Sequence, residues 1–108
     1  MLPSGELSPS EVKRLIDAGH ALVLLDVREP EEVDLVRLKG AVHIPMGDIA
    51  RRFGELDPQA DIVVYCHHGM RSAEVAAFLS QHDFAHVANL SGGIDAWSRK
   101  VDPSLPRY

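Results

Sequence analysis

Ile62-Val63-Val64-Tyr65-Cys66-His67-His68-Gly69-Met70-Arg71-Ser72 is the stretch that decides the fold. Its branched apolar residues predict a buried β-strand over 62–65, and a helical pattern follows over 72–81. Cys66, the only cysteine of the chain, therefore lies at a strand-to-helix turn. The free N–H groups and the dipole of a helix start favour negative charge, so a thiolate should form there more easily than in free cysteine. Such a turn suits a sulfur nucleophile, and it also suits a bound anion.

Strand-like and helix-like stretches alternate on both sides of this turn. Mostly apolar runs predict further strands over 21–27, 42–44 and 87–90. Helix-start signals occur before and between these strands: Ser8-Pro9-Ser10-Glu11 with a capping box, Pro30, and Gly92-Gly93. A further short helix is predicted over 48–56. This alternation predicts an α/β fold, with a mainly parallel sheet covered by helices on both faces.

Polar residues follow three of the predicted strands. Cys66 follows one strand, Asp26 and Arg28 end another, and His43 lies in a third. In an open α/β sheet, ligands bind beyond the carboxyl ends of the strands, so we expect these side chains at one rim. Asp26 and Arg28 are expected to form an ion pair that supports this rim, in preference to a catalytic role.

Size and composition limit the classes of function. The chain of 108 residues is 45% apolar and 25% charged, which predicts one soluble domain over 1–108 with an irregular tail over 101–108. A net charge of −5 argues against nucleic acid or a membrane surface as partner. A single cysteine excludes an internal disulfide, residues 1–6 lack a secretory pattern, and no apolar run approaches the ~20 residues that span a bilayer. We therefore expect a cytoplasmic protein.

Four ordered motifs resemble those of rhodanese (sulfurtransferase) domains. They are Asp26-Val27-Arg28, Gly40-Ala41-Val42-His43-Ile44-Pro45, the Cys66 loop and Gly92-Gly93-Ile94-Asp95-Ala96-Trp97. The resemblance covers nearly the whole chain and implies a rhodanese-like sheet of five mainly parallel strands with helices on both faces. It also implies that Cys66 carries sulfane sulfur as a persulfide, cradled by the backbone N–H groups of residues 67–71.

A narrower resemblance concerns the subtype. Arg37-Leu38-Lys39-Gly40-Ala41, the pattern Cys66-x-x-Gly69-x-Arg71-Ser72 and the segment Val101-Asp102-Pro103 are similar to rhodanese domains fused to adenylyltransferases. Those domains supply sulfur to carrier proteins in molybdopterin or thiamine pathways. The resemblance therefore implies a sulfur-carrier protein among the acceptors.

The implied reaction is a double transfer of one sulfur atom. A small anionic donor such as thiosulfate, or a persulfide, would give its outer sulfur to the Cys66 thiolate, and cyanide, a thiol or a carrier protein would then accept it. We expect no cofactor and no metal. The residues expected to bind the substrate are those of the loop: His67, His68, Gly69, Met70, Arg71 and Ser72.

Each loop residue has a structural interpretation beside the functional one. Arg71 is expected to attract the anionic donor, although a surface arginine at a helix start would look the same. Gly69 suits a backbone angle that other residues resist. Ser72 is most simply a helix cap, with contact to the persulfide as the alternative. For His67 and His68 we favour substrate contact over base catalysis, because an ionised thiol needs no base.

Other candidate residues are interpreted structurally. Zinc needs several convergent ligands, and one cysteine beside two histidines does not supply them. Trp97 and Ile94 are expected to anchor the core. The acidic side chains after the strand predicted over 21–27 are interpreted as a solvated helix face: Glu29, Glu31, Glu32 and Asp34.

Three other functions stay open. A cysteine phosphatase also uses a cysteine loop and an arginine, but it places five residues between them, whereas four separate Cys66 from Arg71 here. A binding or sulfur-relay module would use the same thiol with a protein partner. An intracellular redox sensor is the third alternative, although the chain has no resolving cysteine.

Overall fold

The chain, described by a computed structural model at Leu2 and at residues 4–108, forms five parallel strands with helices on both faces. The prediction about residues 1–6 and the domain range 1–108 include Met1 and Pro3, which lie outside the described residues. The strands are β1 (Gly5–Leu7), β2 (Leu22–Asp26), β3 (Val42–His43), β4 (Asp61–Tyr65) and β5 (Val87–Leu90). The helices are α1 (Pro9–Asp17), α2 (Pro30–Leu35), α3 (Ile49–Arg52), α4 (Met70–Gln81) and α5 (Gly93–Lys100).

The sheet has the strand order β1-β5-β4-β2-β3. β4 occupies the centre because its residues 62–65 are fully buried and require cover on both sides. The predicted α/β class and the predicted parallel sheet are confirmed. β1 is absent from the sequence-based strands because its three residues, Gly5-Glu6-Leu7, show no apolar run; it pairs with β5 at the edge of the sheet.

Helix boundaries follow local chemistry with two exceptions. Ser8 caps α1 and forms the predicted capping box with Glu11. The helix predicted over 48–56 is shorter, because α3 is only four residues long and lies between the 3-10 turns Met46–Asp48 and Phe53–Glu55. α4 begins at Met70, two residues earlier than predicted, because Gly69 takes the N-cap position with φ +103°.

Two apolar clusters fill the two faces of the sheet. One contains Ile94 and Trp97 of α5, which are 1% and 7% exposed, so their predicted role as core anchors is confirmed. Residues 101–108 form neither helix nor strand, yet Val101 and Leu105 pack on this cluster. Cys66 belongs to the cluster on the other face. In the part of the chain that the structure describes, no helix has the length and apolar character needed to traverse a bilayer.

Candidate functional site

The thiol of Cys66 lies at the carboxyl end of β4, where three donor groups point at it. The residue is 1% exposed. Its Sγ accepts hydrogen bonds from the backbone N–H of Gly69 at 3.1 Å, from the N–H of Ser72 at 3.4 Å and from the Ser72 hydroxyl at 3.3 Å. These donors can stabilise a negative charge on the sulfur, which is otherwise surrounded by apolar side chains.

These donors lower the pKa of the thiol. Burial by itself raises the pKa of Cys66, but the hydroxyl of Ser72 and the backbone N–H groups of Ser72, Gly69 and His68 lower it by more. The net result is a pKa below the ordinary value for cysteine. The site thus favours the thiolate, which is the nucleophilic form.

The start of α5 holds the cysteine loop from behind. The N–H of Ile94 donates to the carbonyl of Cys66 at 2.9 Å, and the N–H of Asp95 donates to the carbonyl of His67 at 3.1 Å. Because both carbonyl groups are engaged by α5, they are kept from the sulfur. Gly93 permits this approach: it has φ +62°, and a Cβ there would lie 2.5 Å from each of the two carbonyl oxygens. The sequence showed the glycine pair but not this contact.

The structure bears on both interpretations of Ser72, as a helix cap and as a contact of the sulfur. The helix-cap interpretation is wrong, because α4 begins at Met70 and Ser72 lies inside its first turn. The hydroxyl of Ser72 instead lies 3.3 Å from Sγ of Cys66 and 2.5 Å from Oδ1 of Asn89, two acceptors that share its single proton. Asn89 donates from Nδ2 to the carbonyl of Gly69 and to the carboxylate of Glu6. Sequence analysis missed Asn89 and Glu6, since nothing in their spacing links them to Cys66.

Arg71 is paired with a carboxylate, that of Glu32. Its guanidinium forms two hydrogen bonds with the carboxylate of Glu32, at 2.6 and 2.9 Å. The hydroxyl of Tyr108 donates to the same carboxylate at 2.7 Å. The interpretation of Glu32 as part of a solvated helix face is therefore wrong, because its side chain is only 19% exposed and is paired. The Arg71 guanidinium holds the pKa of Glu32 at about 2, well below the usual value.

Asp26 and Arg28 form a fully buried ion pair at the same rim. Nη2 of Arg28 lies 2.7 Å from Oδ2 of Asp26, and Nε donates to Oδ1 at 3.0 Å. The three remaining N–H groups of the guanidinium are used as well, on the Val36 carbonyl at 2.6 Å, the Tyr108 hydroxyl at 2.9 Å and the Glu32 carbonyl at 3.3 Å. His43 Nε2 lies 2.7 Å from the carbonyl of Arg28. Asp26 lies opposite Tyr65, the residue before Cys66, in the pairing of β2 with β4.

The two loop histidines contact groups other than the sulfur. His67 stacks on the ring of Tyr108, with ring centroids 3.9 Å apart and planes within 7°. Burial, followed by the neighbouring His68, lowers the pKa of His67. His68 is 62% exposed at its side chain, and Met70 is 81% exposed. Among the described residues, neither imidazole forms a hydrogen bond with Cys66 Sγ, so the geometry gives no support to base catalysis by them.

Asp95 adds a third potential metal ligand to the two histidines. Ligand atoms of His67, His68 and Asp95 lie within 4.8 Å of one another. Both carboxylate oxygens of Asp95, however, accept hydrogen bonds at 3.1 Å, one from Arg99 and the other from Arg107. A cation at this place would have to compete with two guanidinium groups, so we assign no metal to it.

A cavity of about 720 Å³ lies away from this site, and Cys66 does not line it. It lies between α1, α5 and residues 37–40, and Trp97 and Leu105 contribute to its apolar wall. The candidate site is therefore identified by converging donors on a thiol and not by the size of a cavity.

Comparison with known proteins gives consistent matches over this chain. A profile of the family described as "Rhodanese-like domain" matches residues 8–100. The putative sulfurtransferase YtwF of Bacillus subtilis is 41% identical over 98 residues, covering 91% of this chain and 94% of YtwF. The probable adenylyltransferase/sulfurtransferase MoeZ of Mycobacterium tuberculosis is 36% identical over 104 residues, covering 94% of this chain. The chain spans only 26% of the length of MoeZ.

A solved structure shows the same fold. The crystal structure of a rhodanese-related protein from Thermoplasma volcanium superposes with a TM-score of 0.80 and 28% sequence identity. The match covers 94% of each chain. The order of strands and helices described above is therefore shared with an experimentally determined domain.

Proposed function

This chain belongs to the rhodanese-like domain family. Because relatives named as sulfurtransferases support sulfur transfer as the general activity, we propose that Cys66 carries the transferred sulfur as a persulfide. The resemblance to rhodanese domains, including those fused to adenylyltransferases, is confirmed by the family match and by MoeZ.

The observation that carries this proposal is the convergence of donors on Cys66 Sγ. Gly69 and Ser72 already donate to the sulfur, which supports a stable thiolate. Met70 and Arg71 are the first two residues of α4, and the first N–H groups of a helix have no partner within it. They are free to receive negative charge on a second sulfur atom bonded to Sγ, as donors in an oxyanion hole do.

Two displacement steps account for the reaction. In the first, the Cys66 thiolate attacks the outer sulfur of the donor, the new S–S bond forms, and the leaving group departs with the electron pair of the broken bond: sulfite from thiosulfate, or a thiolate from a persulfide. In the second, cyanide or a thiol attacks the terminal sulfur, the S–S bond breaks, and the Cys66 thiolate is restored. A carrier-protein C-terminus must first be activated: the terminal sulfur attacks its carbonyl, the activating group leaves, and a thiol then reduces the remaining S–S bond to Cys66. Covalent catalysis of this kind divides one difficult transfer into two easier ones.

Intact-mass measurement tests the proposal directly. The purified protein is incubated with thiosulfate, mercaptopyruvate or a small-molecule persulfide, and a gain equal to one sulfur atom is expected. Cys66→Ser should show no gain under the same conditions, and dithiothreitol should reverse the gain in the unmodified chain. Absence of the adduct with all three donors would contradict sulfur transfer through Cys66.

A second candidate function is a sulfur relay that serves only a protein partner. It is favoured by one contrast: Met70 at the cysteine loop is 81% exposed, whereas Cys66 itself is 1% exposed. An exposed apolar side chain beside a buried thiol suits contact with another protein. Turnover with cyanide, compared with transfer to a sulfur-carrier C-terminus, separates the two functions; Met70→Glu should lower only the second rate if a protein docks there.

A further inference from the structure

The positive charge of Arg71 is neutralised within the site. Two hydrogen bonds join its guanidinium to Glu32, and Tyr108 donates a third to the same carboxylate. The backbone N–H of Glu29 also donates to this carboxylate, at 3.1 Å, so Glu32 receives four hydrogen bonds. The side chains of Glu32 and Arg71 are 19% and 36% exposed. A pair held in this way presents almost no net charge to an approaching ligand.

Other arginines near the loop are engaged in the same way. Arg28 is fully buried and paired with Asp26. Arg99 and Arg107 both contact Asp95, and their side chains are 45% and 55% exposed, so solvent screens the charge they leave over. Among the described residues around Cys66, no buried arginine is left without a carboxylate partner.

The charge on the donor then decides how well it can approach. Thiosulfate is a dianion, and its attack by the Cys66 thiolate brings three negative charges together before sulfite leaves with two of them. A protonated persulfide, R–S–SH, is neutral at its reacting group. When the Cys66 thiolate attacks the outer sulfur of R–S–SH, the Cys66 persulfide forms and R–S⁻ leaves with the electron pair of the broken S–S bond. Only one negative charge is then present at the reacting groups throughout. A site without a free cation penalises the first reaction more than the second.

We propose that Glu32 is a specificity-determining residue: by occupying Arg71 it disfavours small dianionic donors and directs the site to persulfide donors with thiolate leaving groups. This inference rests on the proposed persulfide function of Cys66 and adds the chemical class of the donor. Glu32 acts through Arg71 and does not touch the reacting sulfur.

The test compares two donors in three proteins. Rates of sulfur uptake by Cys66 are measured with thiosulfate and with cysteine persulfide for the unmodified chain, Glu32→Gln and Glu31→Gln. Glu31 is exposed on the same helix, so its variant removes the same charge without releasing Arg71. Glu32→Gln should raise kcat/KM for thiosulfate by about tenfold, mainly through a lower KM, and change the persulfide rate less than about twofold. Glu31→Gln should leave both rates unchanged.

Ionic strength supplies a readout that a purely structural role would not move. Freeing Arg71 should make the thiosulfate rate of Glu32→Gln fall as salt is added, while the unmodified chain responds weakly. If Glu32→Gln does not fold by circular dichroism, Glu32→Asp, whose shorter side chain loosens the same pair, should shift donor preference in the same direction.

The outcomes separate this inference from the function on which it rests. A sulfur adduct that forms equally fast from both donors, or a folded Glu32→Gln with an unchanged donor ratio, would overturn the role of Glu32 and leave sulfur transfer intact. An adduct from neither donor would overturn both. A preference for persulfide that is reduced only in the Glu32 variants supports the proposal.

Discussion

Gly93 packs directly against the backbone carbonyl of Cys66, and the space between them admits no side chain. A Cβ at Gly93 would lie 2.5 Å from that carbonyl oxygen, and the backbone of Gly93 is left-handed with φ +62°. The next residue, Ile94, donates its N–H to the same oxygen at 2.9 Å. The start of α5 therefore fixes the orientation of the cysteine loop.

Replacement of Gly93 by alanine should damage both stability and the loop. The left-handed backbone alone costs on the order of 1–3 kcal/mol for a residue with a side chain, and the clash with backbone oxygens adds to it. We expect a lower midpoint in urea unfolding and slower sulfur uptake. Gly47→Ala is the matched control, since a Cβ at Gly47 meets nothing within 4 Å. A normal loop and normal stability in Gly93→Ala would contradict this account.

Replacement of Asn89 by alanine should destabilise the fold from the other side of the loop. Asn89 is only 3% exposed, and its side-chain amide forms hydrogen bonds with Ser72, Gly69 and Glu6 that the variant removes. Buried groups left unpaired cost about 1–3 kcal/mol, which urea unfolding measures. Ser91→Ala removes another donor to Glu6 without touching the cysteine loop, and it should cost much less. Equal losses in the two variants would refute a special role for Asn89.

The pH dependence of Cys66 follows from its lowered pKa. Free cysteine ionises near pH 8.5, so the folded thiol should lose its proton at lower pH, which thiolate absorbance in the ultraviolet reports. The pKa of Cys66 is lower in the folded than in the unfolded chain, so ionisation of the thiol contributes to the free energy of unfolding. This contribution is complete above the unfolded pKa and disappears as pH falls through the folded pKa. The rate of sulfur uptake should fall in the same range.

Ser72→Ala should move that titration to higher pH. The variant removes the hydroxyl that donates to Sγ while the backbone N–H groups of Gly69 and Ser72 remain. The expected rise is therefore partial. Ser80→Ala, exposed on the same helix, serves as the control. An unchanged titration in Ser72→Ala would remove the hydroxyl from the stabilisation of the thiolate.

Glu32 should make the protein sensitive to acid. Its pKa of about 2 lies below the ordinary 4.5, so the pair with Arg71 contributes its full stability above about pH 4.5 and loses it as pH falls toward 2. The contribution is on the order of 1 kcal/mol for a pair that is still partly exposed to solvent. Glu32→Gln should flatten the dependence of the melting temperature on pH in this window. Glu31→Gln is expected to keep the original slope.

Local sequence patterns predicted most of the framework. The apolar run ending at Tyr65 needs neighbours on both faces, which places β4 in the middle of a parallel sheet. The capping box at Ser8 starts α1 because its two hydrogen bonds form between residues three apart. β1 was missed because an edge strand of three residues is defined by the backbone of β5, not by its own side chains.

By itself, the sequence determined the α/β class, the strand-to-helix turn that carries Cys66 and the family, because periodicity, caps and ordered motifs are local properties of the chain. The tertiary structure alone decided the partners of that turn: Glu32 for Arg71, Asn89 for Ser72, Gly93 for the Cys66 carbonyl and Tyr108 for His67. Each pair joins residues that are far apart along the chain. Their distances depend on how helices and strands pack, and no spacing along the chain encodes that packing directly.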